Sequence, residues 1–349
     1  MRFERRARTS PLLGLAAPLV AVAVALTIAG GLIALSGAPV LEAYARIAAG
    51  AFGSRLAITE TLTRATPLIL TGLAAAVAFR AQVWNIGAEG QLYAGALAVA
   101  ALGAANPLGL PPAALIAALM LSGALAGMML LVIPVVLRLR FGVDEVVTTL
   151  LGNFIVLLFV SLAVEGFLKD PLAFGWPQSV PVVEEAALPR IVERSRLHLG
   201  LAIACALAGL VFLIGRHTVF GMQSRAAGLN PAAARFAGVP IPGTLIRVAC
   251  LSGGLAGLAG AVEVLGVKGY VTTDLSPGFG YSGIVVAMLA GLNPLGVVLA
   301  AVFVAAMFVG ADGMSRTLDV PSFIADVTVA LSLLTMLVAL FFTAYRVRR

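Results

Sequence analysis

Long apolar runs, separated by short polar stretches, set the pattern of this chain. The first run extends from Leu12 to Leu35, and similar runs recur as far as about residue 345. The apolar positions are continuous and do not alternate with the period of two that marks a membrane β-barrel. Runs of about 20 apolar residues match the hydrocarbon thickness of a bilayer. The pattern therefore predicts helices that cross a membrane.

The polar stretches divide the chain into about ten membrane segments, some of them short or broken. A short amphipathic helix on the outer surface is expected between the first two segments, within residues 36–58. The second segment is expected to kink or to start afresh at Pro67. The segments are predicted near residues 12–35, 59–79, 85–105, 110–137, 145–168, 198–214 and 244–267, twice within 281–311, and at 323–345.

The region 281–311 decides the number of segments. Asn293-Pro294 interrupts it, so it forms either one span or two shorter ones. Two segments leave the arginine-rich C-terminus inside, as the positive-inside rule prefers. Both termini are therefore expected in the cytoplasm, with residues 1–11 and 346–349 flanking a single transmembrane domain over 12–345. The long polar loop at 169–197 is expected outside.

Composition supports an all-α integral membrane protein. Hydrophobic residues make up 61% of the chain and charged residues only 11%, and the mean hydropathy is +1.06. Soluble domains carry about 25% charged residues. The net charge of +7 comes from arginines scattered between apolar runs and at the ends, a distribution typical of topology determinants and not of a nucleic-acid surface.

The residues that support catalysis or metal binding are sparse. Neither lysine, Lys169 or Lys268, lies in a phosphate-binding loop, and two histidines cannot build a zinc cluster. Cys205 and Cys250 are expected to be small buried residues without a disulfide. No catalytic residue, metal site or cofactor is therefore expected in this chain. Close helix packing is predicted at two small-residue pairs, Gly123/Gly127 and Gly253/Gly257.

Two polar stretches remain as candidate sites, and the first is residues 84–93. It places Asn85, Glu89 and Gln91 at the start of the third span, where a charged group at mid-bilayer costs roughly 2.5–3.5 kcal/mol. Asn85 suits a helix cap, and the helix dipole favours Glu89 near an N-terminus. These residues, with Asn153 in the fifth span, are candidates for a pathway or gate. A packed, capped helix start is the structural alternative.

The second stretch is residues 222–243. Asn230 is expected to cap a short helix that has Pro231 at its first position, continues over residues 232–236 and ends at Gly238. An exposed helix on the arginine-rich side suits docking on another protein. The alternative is an ordinary cytoplasmic loop.

Three motifs together resemble a known family. Residues 85–91 (Asn-Ile-Gly-Ala-Glu-Gly-Gln), 141–147 (Phe-Gly-Val-Asp-Glu-Val-Val) and 228–239 resemble the permease subunits of bacterial ATP-binding-cassette importers. The superfamily includes branched-chain amino acid and ribose permeases. The first two motifs resemble its nucleoside and simple-sugar branch, which works with a Bmp-type lipoprotein receptor. The resemblance extends from about residue 12 to residue 345.

The resemblance implies a coupling segment at about 222–243 and a set of partners. ATP is then bound by a separate ATP-binding subunit, and a second, different permease forms a heterodimer with this chain. An extracytoplasmic lipoprotein delivers the substrate, and the complex lies in the bacterial inner membrane. The residues implied in ATPase coupling are Gly228, Asn230, Pro231, Ala233, Ala234, Arg235 and Gly238.

The leading hypothesis is a nucleoside permease. A permease for sugars or another small polar solute is the alternative within the same class. A different class, the proton-coupled secondary transporter, would use Glu89, Glu165 or Glu263 as its titrating group.

Overall fold

A computed structural model describes residues 39–318 without a gap. It also describes 2–5, 23–24, 26–31, 33–35, 37, 327, 330–331, 334–335, 338 and 345–348. Most residues of the predicted first and last spans therefore lie outside the described residues. The described positions at 23–35 in the first span and at 327–338 in the last span are helical. The chain divides into two compact units, one made of Met1–Thr61 with Val302–Arg349 and the other of Leu62–Ala301.

Helices account for almost all regular structure in the gapless range. A 3₁₀ turn covers Glu184–Ala186, and a π-helical turn follows the ninth helix at Val264–Lys268. The helices are α1 (Val40–Phe52), α2 (Arg55–Arg80), α3 (Ala88–Gly103), α4 (Pro112–Phe141), α5 (Glu145–Glu165), α6 (Gly200–His217), α7 (Val219–Leu229), α8 (Pro231–Phe236), α9 (Ile241–Glu263), α10 (Phe279–Leu289) and α11 (Pro294–Leu318).

Six helical segments among the described residues are long and apolar enough to cross a membrane. They are α2, α4, α5, α6, α9 with its π-helical turn, and α11, and all six coincide with predicted spans. The α3 helix has 16 residues and α10 has 11, so both are short for a full crossing. The helical membrane architecture is therefore confirmed, whereas the count of ten segments stays a prediction.

Two local predictions need correction. The α2 helix runs through Pro67 without a break, so the expected fresh start there is wrong. The chain is also not entirely α-helical, because strand β1 (Arg2–Arg5) pairs antiparallel with β2 (Tyr345–Arg348). No local pattern marks these four-residue strands, since each obtains its backbone hydrogen bonds only from a partner at the other end of the chain.

The first unit contains the amphipathic helix predicted between the first two spans. This helix, α1, buries Ala43, Ile47 and Ala51, which lie on one face at helical spacing. A Cβ atom added at Gly310 would lie 2.4 Å from the carbonyl oxygen of Ile47. Only a glycine at 310 therefore allows this backbone contact between α1 and the second half of α11.

Glycines hold the centre of the second unit together. A Cβ atom at Gly127 would lie 2.4 Å from the carbonyl oxygen of Gly253, and one at Gly257 would lie 2.2 Å from that of Gly123. A Cβ atom at Gly95 would likewise meet the carbonyl oxygen of Gly257 at 2.2 Å. The backbones of α3, α4 and α9 thus touch directly, and both predicted small-residue pairs are confirmed as packing sites.

The α4, α5 and α6 helices each turn one stripe inward and expose large apolar side chains on the other face, as expected beside lipid. In α6 the inward stripe includes Ala204, Ala208 and Val211. Cys205 falls off this stripe and is exposed, while Cys250 is partly buried. The expectation that both cysteines are buried is therefore wrong, because hydropathy alone does not tell which face of an apolar helix meets lipid.

Replacing Gly257 by alanine should destabilise the protein, because the new methyl group would overlap the backbone of α4. We expect a loss of about 1–3 kcal/mol, measured as a lower midpoint of thermal unfolding in detergent. Gly209→Ala in α6 is the matched control, since nothing lies within 4 Å of its added Cβ atom. Equal midpoints for the two variants would contradict the packing role of Gly257.

Candidate functional site

The irregular stretch between α2 and α3, residues 81–87, is held by charged groups from the α4–α5 turn. The Arg138 guanidinium donates to the carbonyl oxygen of Gln82 at 3.0 Å and pairs with Glu145 at 2.5 Å. Asp144 caps α5 by accepting from the amide of Val146 at 2.8 Å. The turn between α4 and α5 therefore anchors the stretch that leads into α3.

Two buried side-chain amides form the centre of the candidate site. Asn85 Nδ2 donates to Gln91 Oε1 at 3.0 Å, and Gln91 Nε2 donates back to Asn85 Oδ1 at 2.8 Å. Asn85 Nδ2 also donates to Ser252 Oγ at 3.1 Å, and that hydroxyl donates to the carbonyl oxygen of Ala74 at 2.7 Å. This chain of hydrogen bonds joins α3, α9 and α2.

Asn85 does not cap α3, contrary to the prediction. The cap position is Gly87, and no side chain accepts a hydrogen bond from the first turn there. Asn85 Oδ1 instead accepts from the amide of Gly87 at 3.0 Å. The residue thus shapes the turn before the helix, because its amide is already paired with Gln91.

Asn153 connects α5 to the same stretch. Its Oδ1 accepts from the amide of Gly90 at 2.8 Å, and its Nδ2 donates to the carbonyl oxygen of Ile86 at 3.0 Å and to Tyr281 Oη at 3.1 Å. A Cβ atom at Gly90 would lie 2.8 Å from Asn153 Oδ1. A glycine at position 90 is therefore needed for this contact.

The Glu89 carboxylate is 3% exposed and lies at the N-terminus of α10. Its Oε2 accepts from the amide of Gly280 at 2.6 Å, and Ser276, Gly278 and Tyr281 lie around the same carboxyl group. The first turn of a helix offers unpaired N–H groups and the positive end of its dipole. The buried carboxyl group of Glu89, in the first turn of α3 as predicted, is thus also bound by the first turn of a neighbouring helix.

The segment before α10, residues 269–278, is made of turns and bends, and side chains satisfy part of its backbone. Tyr93 Oη donates to the carbonyl oxygen of Thr273 at 2.8 Å and accepts from the amide of Ser276 at 3.1 Å. Non-helical backbone is tolerated at membrane depth only where protein or a wet cavity encloses it. A Cβ atom at Gly280 would lie 2.2 Å from the Glu89 nitrogen, and one at Gly283 would lie 2.5 Å from Thr71 Oγ1. These glycines allow close approach.

The α10 and α11 helices meet in a sharp turn at Asn293-Pro294. Leu292 has a positive φ of 59°, and Asn293 Oδ1 accepts from the amide of Leu295 at 3.1 Å. Arg80, the last residue of α2, donates to the carbonyl oxygen of Leu292 at 2.7 Å. The predicted break at Asn293-Pro294 is confirmed, whereas the count of two membrane segments within 281–311 stays a prediction. The junction of the two helices lies beside the end of α2.

The predicted docking helix is present as α8. Asn230 Oδ1 accepts from the amides of Ala232 and Ala233 at 3.1 and 3.0 Å, and Pro231 is the first helical residue. Gly238, with φ of 83°, follows the helix. The local structure of this stretch is therefore as predicted.

The seven residues implied in coupling divide into two sets by their environment. Asn230, Pro231, Ala233, Arg235 and Gly238 are exposed. Ala234 is buried in an apolar cluster that includes Ala81, Val83 and Leu245. At Gly228, an added Cβ atom would lie 2.2 Å from the carbonyl oxygen of Arg80. The segment thus has an outward face and an inward face against the 81–87 stretch.

The polar loop predicted outside, at 169–197, lies across the opposite end of α3. The amide of Val183 donates to the carbonyl oxygen of Gly103, and the amide of Leu188 donates to that of Leu265. His198, just before α6, is 1% exposed. Its Nδ1 accepts from the amide of Gly200 at 3.1 Å, and its Nε2 has no partner. Burial lowers the pKa of His198 to about 4.

All four residues predicted from the sequence for a pathway or gate meet in one region. We call this group, completed by Ser252, the polar cluster: Asn85, Glu89, Gln91, Asn153 and Ser252. Sequence reasoning missed Ser252, Ser276 and Tyr281. Ser252 is a lone hydroxyl within an apolar span, a signal that could have drawn attention to it. The positions of Ser276 and Tyr281 follow only from how the 269–278 segment enters the protein.

The polar cluster joins five helices: α2, α3, α5, α9 and α10. Its donors and acceptors bond to one another, to backbone or to the Tyr281 hydroxyl, and it contains no nucleophile beside a base. Within the described ranges, no three His, Cys, Asp or Glu side chains are close enough to hold a metal ion. Short helices joined by buried polar groups between spanning helices are features of membrane transport proteins.

Comparison with known proteins identifies the family. Residues 57–340 match the family described as the branched-chain amino acid transport system / permease component, and the chain belongs to this family.

Similar curated proteins are permeases of ATP-binding-cassette transporters. The guanosine permease protein NupP of Bacillus subtilis is 36% identical, covering 91% of each chain. The glucose permease protein TsgB13 of Haloferax volcanii is 33% identical, covering 99% of this chain and 93% of its own. The nucleoside permease protein NupB of Lactococcus lactis is 30% identical, covering 90% of this chain and 88% of its own.

The chain is therefore a transport component, the permease subunit of an ATP-binding-cassette transporter. This confirms the resemblance noted from the three motifs. The family implies an ATP-binding subunit as its partner. Membership of this family also excludes the alternative hypothesis that the protein is a proton-coupled secondary transporter.

Replacing Glu89 by glutamine should weaken the contact between α3 and α10, because a neutral amide binds helix N-terminal amides less strongly than a carboxylate. Hydrogen bonds to a charged group contribute about 1.5–3 kcal/mol. We expect a lower thermal midpoint and reduced uptake in membranes that hold normal amounts of protein. Glu165→Gln, at an exposed position, is the control and should change neither. Unchanged stability of the Glu89 variant would refute this role.

Acid should destabilise the protein through His198. The unfolded histidine binds a proton near pH 6.5, whereas the folded one does so only near pH 4. The stabilising effect of the neutral ring is thus complete above pH 6.5 and is lost as the pH falls toward 4, by up to roughly 3 kcal/mol. His198→Asn keeps an acceptor for Gly200 but does not titrate. The thermal midpoint of the His198→Asn variant should fall less than that of the wild type between pH 7.5 and 4.5. An equal fall of the thermal midpoint in both proteins would contradict the prediction.

Proposed function

We propose that this chain imports nucleosides, as one of two different permease subunits in an ATP-driven importer of the bacterial inner membrane. A separate ATP-binding subunit hydrolyses ATP, so this chain carries no cofactor of its own. A lipoprotein receptor delivers the substrate from outside. The names of NupP and NupB support a nucleoside substrate. The name of TsgB13 supports a sugar as the second candidate.

The contact between the 222–243 segment and the end of α2 carries the proposal of ATP-driven switching. Gly228 lies against the backbone of Arg80 and Ala81, and a few residues later Asn85 enters the polar cluster. Ala227 and Ala234 share one buried apolar cluster with Ala81. A displacement of α7 and α8 must therefore either move the 80–85 stretch or break this packing.

The exposed face of the segment is suited to receive force from the ATP-binding subunit. Phe236 is 97% exposed and Leu229 is 81% exposed, and they flank the capped turn that begins at Asn230. Large apolar side chains at a protein surface commonly mark an interaction site. We assign Asn230, Pro231, Ala233, Arg235 and Gly238 to this contact, and Gly228 and Ala234 to transmission into the membrane domain.

The polar cluster is the element that transmits this movement to the short helices. Glu89 holds the N-terminus of α10, and Arg80 holds the turn at its other end. A shift of the 80–89 stretch therefore acts on both ends of α10. In this proposal Asn85, Glu89, Gln91 and Asn153 act as a gate through their mutual hydrogen bonds.

Gly238→Arg should abolish uptake while the protein still reaches the membrane. The glycine has a positive φ of 83°, which a residue with a Cβ adopts only with strain, so the end of the docking helix would be displaced. Gly175→Arg in the 169–197 loop is the matched control, because Gly175 has a similar positive φ of 89° and nothing lies within 4 Å of its Cβ position, but it lies outside the coupling segment. ATP-dependent uptake and binding of the ATP-binding subunit are the measurements. Normal transport by Gly238→Arg would remove the coupling assignment.

The substrate and the energy source are tested together in proteoliposomes that hold both permeases, the ATP-binding subunit and the receptor. We expect uptake of radiolabelled guanosine, competed by other nucleosides and not by glucose. Uptake should stop without ATP and continue with an uncoupler. Competition by glucose alone would favour the sugar permease, and loss of uptake with the uncoupler alone would refute ATP-driven import.

A further inference from the structure

The stretch after the outer loop carries positive charge without any acidic residue. No Asp or Glu occurs between Glu193 and Glu263. Four arginines fall between these acids after His198, namely Arg216, Arg225, Arg235 and Arg247. These arginines have no carboxylate nearby in sequence. The positive charge of residues 194–262 must therefore be balanced by groups outside this range.

Two of these arginines line one groove. It is an open groove between the end of α6 and α7, with a volume of about 560 Å³. Arg216, His217 and Arg225 contribute its polar side, and Val219 and Met222 contribute its apolar side. No carboxylate belongs to the lining.

The two arginines are held in place but keep donors available. Arg225 Nη2 donates to the carbonyl oxygen of Gly215 at 2.9 Å, which uses one of its N–H groups. The Arg216 guanidinium lies 5.8 Å from the ring centre of Phe212. Both side chains are exposed. An arginine has five N–H donors, so both can still bind an anion.

The groove lies at the depth expected for phospholipid headgroups. The α6 helix has 18 residues, which corresponds to about 27 Å, close to the hydrocarbon thickness of a bilayer. Its C-terminal residues therefore meet the headgroup region. Leu210 and Leu213 are exposed on α6, and Val219 and Met222 are exposed on α7. An apolar surface thus leads from the lipid-facing side of α6 into the groove.

We propose that this groove binds the headgroup of an anionic phospholipid from the inner leaflet. Its phosphate lies between Arg216 and Arg225, and an acyl chain follows Leu213 and Val219. An acidic protein surface would match the charge but not the apolar wall that continues the lipid-facing side of α6. The lipid would fix α7 at the membrane surface and so set the position of the coupling segment. The inference rests on the inside placement of residues 215–247 and not on the nucleoside substrate.

The test compares phospholipids on the complete transporter. Wild-type complex in nanodiscs of phosphatidylglycerol and phosphatidylcholine is examined by native mass spectrometry for retained lipid. Arg216→Gln with Arg225→Gln should retain phosphatidylglycerol about tenfold less well, since each arginine near a membrane surface contributes to binding of anionic lipid. Arg247→Gln removes a charge from the same segment outside the groove and should retain it as the wild type does.

A second measurement separates lipid from a soluble anion and from a protein. Phosphatidylglycerol should raise the thermal midpoint of the wild type, and neither phosphatidylcholine nor inorganic phosphate should do so. Equal retention of phosphatidylglycerol by the wild type and by the Arg216→Gln, Arg225→Gln double variant would overturn the proposal. Equal stabilisation by inorganic phosphate would assign the groove to a soluble anion. Loss of the ATP-binding subunit from the double variant, with unchanged lipid retention, would assign it to that protein.

Discussion

The structure depends on the placement of one buried carboxylate. An anion inside a bilayer needs donors that water would otherwise supply. Glu89 obtains them from the first turn of α10, whose unpaired amides need an acceptor in return. One contact thus satisfies both a side chain and a helix end that would each be costly alone. This exchange allows a short helix to begin within the membrane domain.

That exchange is possible only because glycines bring backbones into contact. Gly280 lies against the backbone of Glu89, and Gly90 lies against Asn153. The same device joins α3, α4 and α9 through Gly95, Gly123 and Gly257. In lipid, where apolar side chains gain little by meeting each other, close backbone packing supplies the attraction between helices.

The polar cluster and the 222–243 segment are joined by packing contacts, which is the basis of the proposed coupling path. Gly228 abuts the end of α2, and the residues that follow α2 lead to Asn85. Along this path Ala81, Val83 and Asn85 are buried, whereas Gly228 and Arg80 are half-buried. The groove beside α7, proposed above to bind lipid, lies at the start of the same path.

Several local features could be predicted because they depend on neighbours in the chain. Asn230 and Pro231 begin α8, and Asn293-Pro294 separates α10 from α11, as their residue types require. The prediction that Asn85 caps a helix was wrong, because its side-chain amide is hydrogen-bonded to Gln91 and Ser252. The prediction that Cys205 is buried was also wrong, because the packing of α6 against its neighbours decides which of its sides faces lipid.

From the amino-acid pattern alone, this chain is recognisable as a helical membrane protein that resembles a permease and has its polar residues in two stretches. Hydrophobic length, helix caps and motifs are local and need no partner. The contacts of Glu89 with the start of α10, of Asn153 with Gly90, and of Gly228 with the end of α2 are visible only in the folded protein. Such contacts join residues far apart in the chain, and their energy depends on geometry that no local pattern records.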